Sequence, residues 1–561
     1  MLTRIPTASK LNVIMKLNLL ALMCFVVLAE NCFAQHEEDF LRQMQFAAVE
    51  TEKADWGHWG DRKAKYSSWT YHSNRLVPIY TFGMKLDKYT GENSSYRSEE
   101  LVREIYGVVP RKTVNTRANY MDQTEVYYLQ REAFESGKKN VILLVFDGMD
   151  WQTSQAAAIY KNRKVIYKKG YGKGLAFLDY NECEKDSGDF VCSPHNSGTK
   201  TDVDAQTVSN IGGDKRGGYS ANHGGYRSWS KPRSPTYLLG KLNSLNHVVT
   251  DSASSATSMN TGYKTYNSAI NVAPDGTKLV PLARDLQQQG VKVGIVSSVP
   301  FSHATPATTY ANNVTRNDYQ DLSRDMLGLP SIANRKPLSG MDVVIGCGFG
   351  EMNEDDRKKQ GENFVPGNKY LADDDLEKID VENGGKYVVA QRTSGKSGRS
   401  VLRKAARSAA RNDHRLFGFF GHAGGHLPYQ TADGKYDPTR GVKRADRYTE
   451  QELKENPTLA DMTSEALRVL SKGEKGFWLM IEAGDVDWAS HNNNIDDSIG
   501  ALFSGEAAFK AVARWIEKNS SWEESAVIVT ADHGHFLVIE DLAALTGRNR
   551  ETVEADRSAN K

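Results

Sequence analysis

The stretch VVTDSASSATSMNTG at residues 248–262 combines strand, serine and helix signals within a short span. Val248 and Val249 are typical of the end of a buried strand, and Gly262 favours the end of a helix. Ser252 would then lie at a helix N-terminus, where the helix dipole stabilises an alkoxide or a phosphoryl group. Asp-Ser before small residues is also typical of an ordinary helix N-cap. The stretch therefore predicts a strand-to-helix turn that carries a candidate nucleophile.

Further apolar runs, each predicted to be a strand, end in side chains that bind metal ions or phosphate. These runs are residues 139–146, followed by Asp147; 291–298, followed by His303 and Thr305; 477–481, followed by Glu482, Asp487 and His491; and 526–530, followed by Asp532 and His533. Arg316 follows Thr305 by eleven residues. In open α/β sheets, ligands bind at the carboxyl ends of parallel strands. The pattern thus predicts one shared site.

Each of these signals also has a purely structural explanation. Asp147-Gly148 is typical of a turn, and Asp532 is typical of a helix N-cap. The i, i+4 spacing of Asp487 and His491 occurs on many solvated helices. Glu482 is harder to explain in this way, because a carboxylate that ends a buried strand needs a partner. The joint occurrence of all these signals favours a functional site.

The stretch TDSASSAT at residues 250–257, with TGYKTYN at 261–267, resembles the nucleophile segment of the alkaline phosphatases. The other strand-end residues follow in that family's order. The resemblance covers about residues 139–535, with stretches near 180–245 and 350–475 that are longer than in the compact bacterial enzymes. It implies an α/β fold: a three-layer α/β/α sandwich with a mostly parallel central sheet.

The resemblance also implies a site and an activity, the hydrolysis of phosphate monoesters at alkaline pH. Ser252 would form a phosphoseryl intermediate, Arg316 would clamp two phosphate oxygens, and Asp251 would position both side chains. Two zinc ions and one magnesium ion are implied as cofactors. Their ligand sets would be Asp147, Asp532 and His533 for the zinc ion at the Ser252 oxygen; Asp487 and His491 for the other zinc ion; and Asp147, Thr305 and Glu482 for magnesium.

The chemistry of these residue types supports the same assignment. Two metal ions can stabilise both the entering and the departing oxygen of an in-line displacement at phosphorus. Mixed histidine and carboxylate ligands suit zinc, whereas an oxygen-only set suits magnesium. The planar fork of arginine fits two phosphate oxygens better than the point charge of lysine does.

Two positions differ from the enteric bacterial enzymes of this family. His303 stands where they have aspartate, and Trp488 stands where they have lysine. This pair resembles certain marine bacterial phosphatases. A histidine beside the third metal site predicts that zinc can replace magnesium there, because imidazole is a softer ligand than oxygen.

A third difference concerns the zinc ion assigned to Asp487 and His491. In the family this ion takes a further histidine from a C-terminal segment, but no histidine follows His535 in this sequence. His535, or His422 with His426, could substitute, although His535 is expected rather to orient Asp487 or its metal. A catalytically impaired phosphate- or metal-binding homologue, shortened at the C-terminus, is therefore an alternative.

A phosphodiesterase of the same superfamily is a second alternative. Those relatives use threonine as nucleophile and lack the equivalent of Arg316, so Ser252 together with Arg316 favours monoesters. Sulfatase relatives need Cys-x-Pro-x-Arg at the nucleophile, and the sequence has no such motif.

Composition restricts the partners. The 561 residues include 71 basic and 70 acidic residues, with a net charge of +1 and 39% hydrophobic residues. This balance supports a sizeable core and predicts neither nucleic acid nor an anionic membrane as partner. Small phosphomonoesters are the expected substrates, and the resemblance implies a homodimer.

The N-terminus is predicted to be a secretory signal peptide. Basic residues precede an apolar run at 17–28, and cleavage is expected after Ala34, so the protein is expected to be secreted or periplasmic. Residues 35–138 are predicted to form an aromatic-rich N-terminal region that packs on a catalytic domain at 139–561. Cys183 and Cys192 could form a local disulfide in an oxidising compartment.

Overall fold

The computed structural model describes residues 39–213 and 215–548. The signal peptide predicted over residues 1–34 lies outside these ranges. Within them, no helix combines the length and the apolar character that a membrane crossing needs.

A ten-stranded sheet forms the centre of the fold. Its strands, in chain order, are β1 (Val77–Phe82), β2 (Met121–Asp122), β3 (Asn140–Val145), β4 (Lys185–Val191), β5 (Lys292–Pro300), β6 (Val343–Cys347), β7 (Tyr387–Gln391), β8 (Arg415–Phe419), β9 (Phe477–Glu482) and β10 (Ser525–Thr530). They lie side by side in the order β7-β8-β6-β5-β9-β3-β10-β1-β4-β2. Neighbours run parallel except β10–β1 and β1–β4.

The strands predicted from apolar runs are confirmed as β3, β5, β9 and β10, and these four are adjacent in the sheet. All residues of β3, β9 and β10 are buried. A parallel strand that is buried throughout has cover on both of its faces. Since parallel strands end at the same edge, the side chains that follow β5, β9, β3 and β10 come together there.

Helices connect and cover the strands. They are α1 (Phe40–Thr51), α2 (Glu99–Tyr106), α3 (Glu125–Glu135), α4 (Trp151–Asn162), α5 (Ala176–Asp179), α6 (Ala221–Gly224), α7 (Pro235–Leu238), α8 (Ser252–Thr261), α9 (Leu282–Gln288), α10 (Ala304–Ala307), α11 (Tyr319–Leu327), α12 (Arg357–Gln360), α13 (Asp373–Ile379), α14 (Gly398–Asn412), α15 (Glu450–Glu455), α16 (Leu459–Leu470), α17 (Asp485–His491) and α18 (Ile495–Asn519). Short two-stranded ribbons pair Gly57–Trp59 with Leu537–Ile539, Asn196–Ser197 with Lys215–Arg216, Lys200–Asp202 with Thr207–Ser209, and Met352–Asn353 with Gly367–Asn368.

Two groups of helices pack around the sheet. In one, α18 contacts α4 and α16, and α16 contacts α14; in the other, α8 contacts α3, α9 and α10. Apolar residues recur at helical spacing along α16, and Leu459, Met462, Leu467 and Leu470 are all buried on it. The three-layer α/β/α fold expected from the sequence is thus the observed one.

The N-terminal region supplies part of the sheet itself. Strand β1 pairs antiparallel with β10, from Val527 opposite Phe82 to Thr530 opposite Ile79. Its other edge pairs with β4. Residues 77–82 are therefore inserted between strands that follow them in the sequence by more than a hundred residues.

Two expectations from the sequence are corrected. Val248 and Val249 are buried but belong to no strand, because their segment makes only a single bridge, at His247, before α8 begins. Cys183 and Cys192 are free thiols. Cys192 is buried, and its Sγ lies 3.7 Å from the carbonyl oxygen of Arg75 rather than beside a second sulfur.

A buried ion pair joins the N-terminal region to the turn between β3 and α4, and a hydrogen bond from the same arginine reaches the segment after β10. Arg75 Nη1 lies 3.6 Å from Asp150 Oδ2 and donates to the carbonyl oxygen of Leu537. We expect Arg75→Met to lower the free energy of unfolding by about 3–5 kcal/mol, because it leaves Asp150 as an unpaired buried charge. Denaturant unfolding followed by circular dichroism measures this change. An exposed control, Lys85→Met, breaks only a surface pair with Glu184 and should not shift the curve; equal curves for both variants would contradict the prediction.

Candidate active site

Ser252 is the first residue of α8 and lies at the predicted helix N-terminus. Its Oγ is 3.2 Å from His533 Nε2, and the residue is only 2% exposed. Asp251 is the N-cap, because its Oδ1 accepts a hydrogen bond from the backbone N–H of Ser254. Gly262 ends the helix in the left-handed conformation with a φ of 76°. The local fold thus presents Ser252 on the positive end of a capped helix.

Arg316 contacts Asp251, the residue that directly precedes Ser252. Its Nη1 lies 3.4 Å from Asp251 Oδ2, and its backbone N–H donates to the carbonyl oxygen of Ser268. The N–H of Ser268 in turn donates to Asp251 Oδ2. Burial disfavours the charged guanidinium, but Asp251 outweighs it and raises the pKa of Arg316 above its ordinary value. The arginine is therefore a fixed positive charge beside Ser252.

Carboxylates from two strand ends contact His533, and a third carboxylate ends the neighbouring strand β9. His533 Nε2 lies 3.4 Å from Asp147 Oδ1 and 3.3 Å from Asp532 Oδ2. Thr305 Oγ donates to Asp147 Oδ2 at 3.2 Å. Glu482, at the end of β9, is fully buried and accepts from Ser297 Oγ. The ends of β3, β9 and β10 therefore bring together the side chains that the sequence predicted to share a site.

These carboxylates fit a site for cations. Asp147 Oδ1, Glu482 Oε1 and Asp532 Oδ2 are buried without a hydrogen-bond donor among the described residues. Burial, followed by the neighbouring Asp532 carboxylate, raises the pKa of Asp147 well above its ordinary value. Burial also raises the pKa of Glu482 to about 8 and that of Asp532 to about 6. Buried oxygens of this kind need a positive partner, and metal ions supply it.

Asp487 and His491 lie one helical turn apart on α17, as their spacing predicted. His491 Nε2 is 3.5 Å from Asp487 Oδ1. His535 Nε2 lies 2.6 Å from the same oxygen, as expected for a residue that orients Asp487. Burial opposes ionisation of Asp487, but His491 and His535 outweigh it and hold the pKa of this carboxyl well below its ordinary value.

His72 is a member of this cluster that the sequence analysis missed. Its Nε2 lies 3.1 Å from His491 Nε2 and 3.4 Å from Asp487 Oδ1. Its ring stacks on that of His533 with centroids 3.7 Å apart. The sequence predicted residues 35–138 only as an aromatic-rich region that packs on the catalytic domain. The available signal was the position of His72 a few residues before the apolar run VPIYTF at 77–82, which forms β1.

His303 and Trp488 stand beside the cluster, in contact with each other. Their ring centroids are 5.6 Å apart at an interplanar angle of 70°, and His303 also stacks on Tyr319. Burial lowers the pKa of His303 to about 3, so this side chain is neutral. Its imidazole is therefore able to act as a ligand or a hydrogen-bonding partner at ordinary pH.

His422 and His426, the other histidines considered for the zinc site, form a separate group with Asp446. Their Nε2 atoms are 2.8 Å apart, and His426 Nε2 lies 3.5 Å from Asp446 Oδ2. The ring of His426 packs edge-on against Trp488 at 5.3 Å. Trp488 thus contacts both this group and His303.

A cleft of about 650 Å³ opens over the site. Its lining includes Ser252, Arg316, His491, His303 and Tyr319. The nucleophile candidate, the arginine and the open side of the histidine cluster therefore face one space that is large enough for a small organic phosphate.

Comparisons with known proteins identify the family of this chain. The model of the family described as alkaline phosphatase matches residues 230–560. Alkaline phosphatase 4 of Bacillus subtilis is 26% identical over 394 residues, covering 69% of this chain and 66% of that protein. Alkaline phosphatase 3 of Bacillus subtilis is 28% identical over 285 residues, covering 51% and 49%. The alignments thus span 66% and 49% of the lengths of these two relatives. The crystal structure of Thermus thermophilus alkaline phosphatase superposes with a TM-score of 0.43 at 22% identity, over 71% of this chain and 60% of that one.

Proposed function

Because this chain belongs to the alkaline phosphatase family, we propose that it hydrolyses phosphate monoesters through a phosphoserine intermediate at a site for zinc and magnesium ions. One observation carries the proposal. Ser252 Oγ lies 3.2 Å from His533 Nε2, which itself lies within 3.4 Å of two carboxylates, and Arg316 faces the same cleft. A nucleophile, a phosphate clamp and a cation site therefore converge on one point.

The proposed reaction consists of two successive displacements at phosphorus, in which the residues of the site have separate roles. Ser252 Oγ attacks the phosphorus atom, the bond to the ester oxygen breaks, and the alcohol leaves. Water then attacks the same phosphorus, the bond to Ser252 Oγ breaks, and inorganic phosphate leaves. Arg316 donates two parallel hydrogen bonds to phosphate oxygens in both steps, and Asp251 fixes its direction. The N-terminus of α8 favours the negative charge of the phosphoryl group.

The metal ligands would fall into the three sets implied by the family. Asp147, Asp532 and His533 would hold the ion next to Ser252, Asp487 and His491 a second one, and Asp147, Thr305 and Glu482 a third. When bound, such ions lower the pKa of a coordinated hydroxyl and stabilise the charge on the departing oxygen. The unpartnered oxygens of Asp147, Glu482 and Asp532 support this assignment. Because the Ser252 hydroxyl must lose its proton in order to attack, this mechanism supports an alkaline pH optimum.

The proposed location and substrates follow from the same reasoning. The signal peptide predicted over residues 1–34 supports a secreted or periplasmic enzyme, which would meet small phosphomonoesters outside the cytoplasm. His303 beside Tyr319 and Trp488 supports zinc as an alternative to magnesium at the third position. Metal analysis after dialysis against each ion distinguishes the two.

The test of the function is hydrolysis of p-nitrophenyl phosphate by the chain from Gln35 with zinc and magnesium added. Bis(p-nitrophenyl) phosphate serves as the diester comparison. We expect the monoester to be hydrolysed much faster. Arg316 binds two unesterified phosphate oxygens, and a monoester has three such oxygens whereas a diester has only two, which leaves none for the cation site. Faster hydrolysis of the diester would overturn the proposal. A folded protein that binds phosphate without hydrolysing either substrate would point to a binding protein.

Arg316→Lys is expected to lower kcat/KM for p-nitrophenyl phosphate by about 10- to 100-fold. Lysine keeps the charge but loses the paired donors, and hydrogen bonds to charged groups contribute about 1.5–3 kcal/mol each. Steady-state kinetics on the two proteins measure the ratio. Arg227→Lys is the matched control, because Arg227 pairs with Asp189 and contacts Tyr171. An unchanged kcat/KM for Arg316→Lys would remove the arginine from the proposed site.

A further inference from the structure

We propose that His72, in the N-terminal region, is the third protein ligand of the metal ion held by Asp487 and His491. The inference rests on the proposed function for the presence of that ion. It adds a residue that precedes the family-like part of the chain, so the site joins two distant segments.

The three candidate ligand atoms form an almost regular triangle. His72 Nε2 and His491 Nε2 are 3.1 Å apart, and these two nitrogens lie 3.4 Å and 3.5 Å from Asp487 Oδ1. Atoms bound at about 2.0–2.1 Å to a tetrahedral zinc ion are about 3.3–3.4 Å from one another. The triangle therefore has the dimensions of one face of a zinc tetrahedron, which leaves the fourth position for substrate or water.

Hydrogen bonds on the far side of each ring direct the lone pairs inward. His72 Nδ1 lies 3.0 Å from the carbonyl oxygen of Thr250, and His491 Nδ1 lies 2.7 Å from that of Thr70. A carbonyl oxygen can only accept, so both Nδ1 atoms carry hydrogen. In the neutral rings both Nε2 atoms then have lone pairs, and at 3.1 Å these repel unless a cation lies between them. Backbone carbonyls of this kind are the usual supports of metal-binding histidines.

His535 is in the same cluster but carries its ring hydrogen on the other nitrogen. Its Nε2 lies 2.6 Å from Asp487 Oδ1, and its buried Nδ1 has no partner among the described residues. Since a carboxylate oxygen only accepts, the proton of His535 is on Nε2 and is donated to Asp487. This nitrogen has no free lone pair for a metal ion, so His535 orients Asp487 whereas His72 is free to bind.

The pair His422 and His426 also differs from His72 and His491. The N–H of Gly424 donates to His422 Nδ1, so the neutral ring of His422 carries its hydrogen on Nε2. His426 Nδ1 lies 2.6 Å from the carbonyl oxygen of Leu427, which leaves a lone pair on its Nε2. His422 therefore donates to His426 across 2.8 Å, and this pair is satisfied without a metal ion.

The backbone fixes His72 in its place. The N–H of Ser73 donates to the carbonyl oxygen of Gly534 at 2.7 Å, between His533 and His535. The ring of His72 stacks on that of His533. Strand β1 then continues alongside β10 in the sheet. His72 is thus held by the bridge at Ser73 and by the stack on His533, as a metal ligand needs to be.

The test replaces His72 with cysteine and uses cobalt as the probe ion. If side chain 72 binds the metal, a thiolate-to-cobalt charge-transfer absorption appears in His72→Cys and is absent from the parent. The experiment is done on a Ser252→Ala background, so that the reading is independent of turnover. His535→Cys is the matched control, because this position faces the same cluster and should give no such band.

Zinc retention gives a second reading. We expect His72→Ala to keep its fold by circular dichroism and to bind zinc at this position about 100-fold or more weakly, since losing even an indirect support of a ligand costs about 10–100-fold. One zinc equivalent per chain should then be lost to a chelator that leaves the parent unchanged. His426→Ala should retain its zinc as the parent does.

Each outcome decides between the alternatives. His72→Cys that binds cobalt to the parent's stoichiometry without the absorption band, or a band in His535→Cys alone, would overturn the proposal. If His72→Cys does not bind the second cobalt ion, the proposal requires that His72→Ala also loses one zinc ion. Full zinc retention by His72→Ala would overturn the proposal. Loss of metal from His72→Ala in a protein that hydrolyses no phosphate ester would uphold the ligand and reject the function.

Discussion

Ser252→Ala is expected to lower kcat for p-nitrophenyl phosphate by about 10³-fold or more, because removing a catalytic nucleophile costs at least this much in comparable hydrolases. Ser252 Oγ is the hydroxyl at the start of α8 that lies within 3.2 Å of His533. Steady-state assays with zinc and magnesium measure the loss. Metal content should be unchanged, because Ser252 is not required to hold the ions.

The matched control for this variant is Ser258→Ala on the same helix. Ser258 is also buried, and its Oγ donates to the carbonyl oxygen of Ser254 inside the helix. It should keep nearly full activity. A covalent phosphate on Ser252, found by mass spectrometry after acid quenching with substrate, would identify the intermediate directly. Equal activities of Ser252→Ala and the parent would mean that water attacks the ester without a phosphoserine.

Removal of metal ions is expected to abolish hydrolysis and also to lower the melting temperature. Asp147, Glu482 and Asp532 carry buried oxygens without donors, so folding without cations leaves these groups uncompensated. An ion present at about 1,000 times its Kd stabilises the folded state by about 4 kcal/mol. Calorimetry before and after chelation measures the shift, and adding back zinc with magnesium should restore both activity and melting temperature.

The control for chelation is the effect of the chelator on a variant with less buried negative charge to compensate. Asp147→Asn removes one charge from the carboxylate group beside His533, so its apo form should melt closer to its metal-loaded form than the parent's does. A melting temperature that chelation leaves unchanged in the parent would contradict the assignment of these carboxylates as ligands.

The strand ends that form the site could be predicted because their signals are local. Each of β3, β5, β9 and β10 is an apolar run of six to nine residues followed by polar side chains. Parallel strands need no further information to bring their ends together. The N-cap at Asp251 and the glycine at 262 likewise fix α8 from its own sequence.

The role of His72 could not be predicted in the same way, because it depends on pairing across the whole chain. His72 contacts His491, which is 419 residues further along the sequence. Only the insertion of β1 beside β10 brings them together, and nothing in residues 77–82 alone identifies β10 as the partner. The strand end predicted at Val248 and Val249 was wrong for a related reason: two apolar residues can be buried without belonging to a strand.

The antiparallel pairing of β1 with β10 also has a consequence for the order in which the protein folds. β10 is the last strand of the central sheet in chain order. During synthesis, β1 therefore cannot pair with β10 until hundreds of further residues have been made. Contacts of such high sequence separation form late and slowly. The cluster of His72, Asp487 and His491 is therefore complete only after β10 has been synthesised.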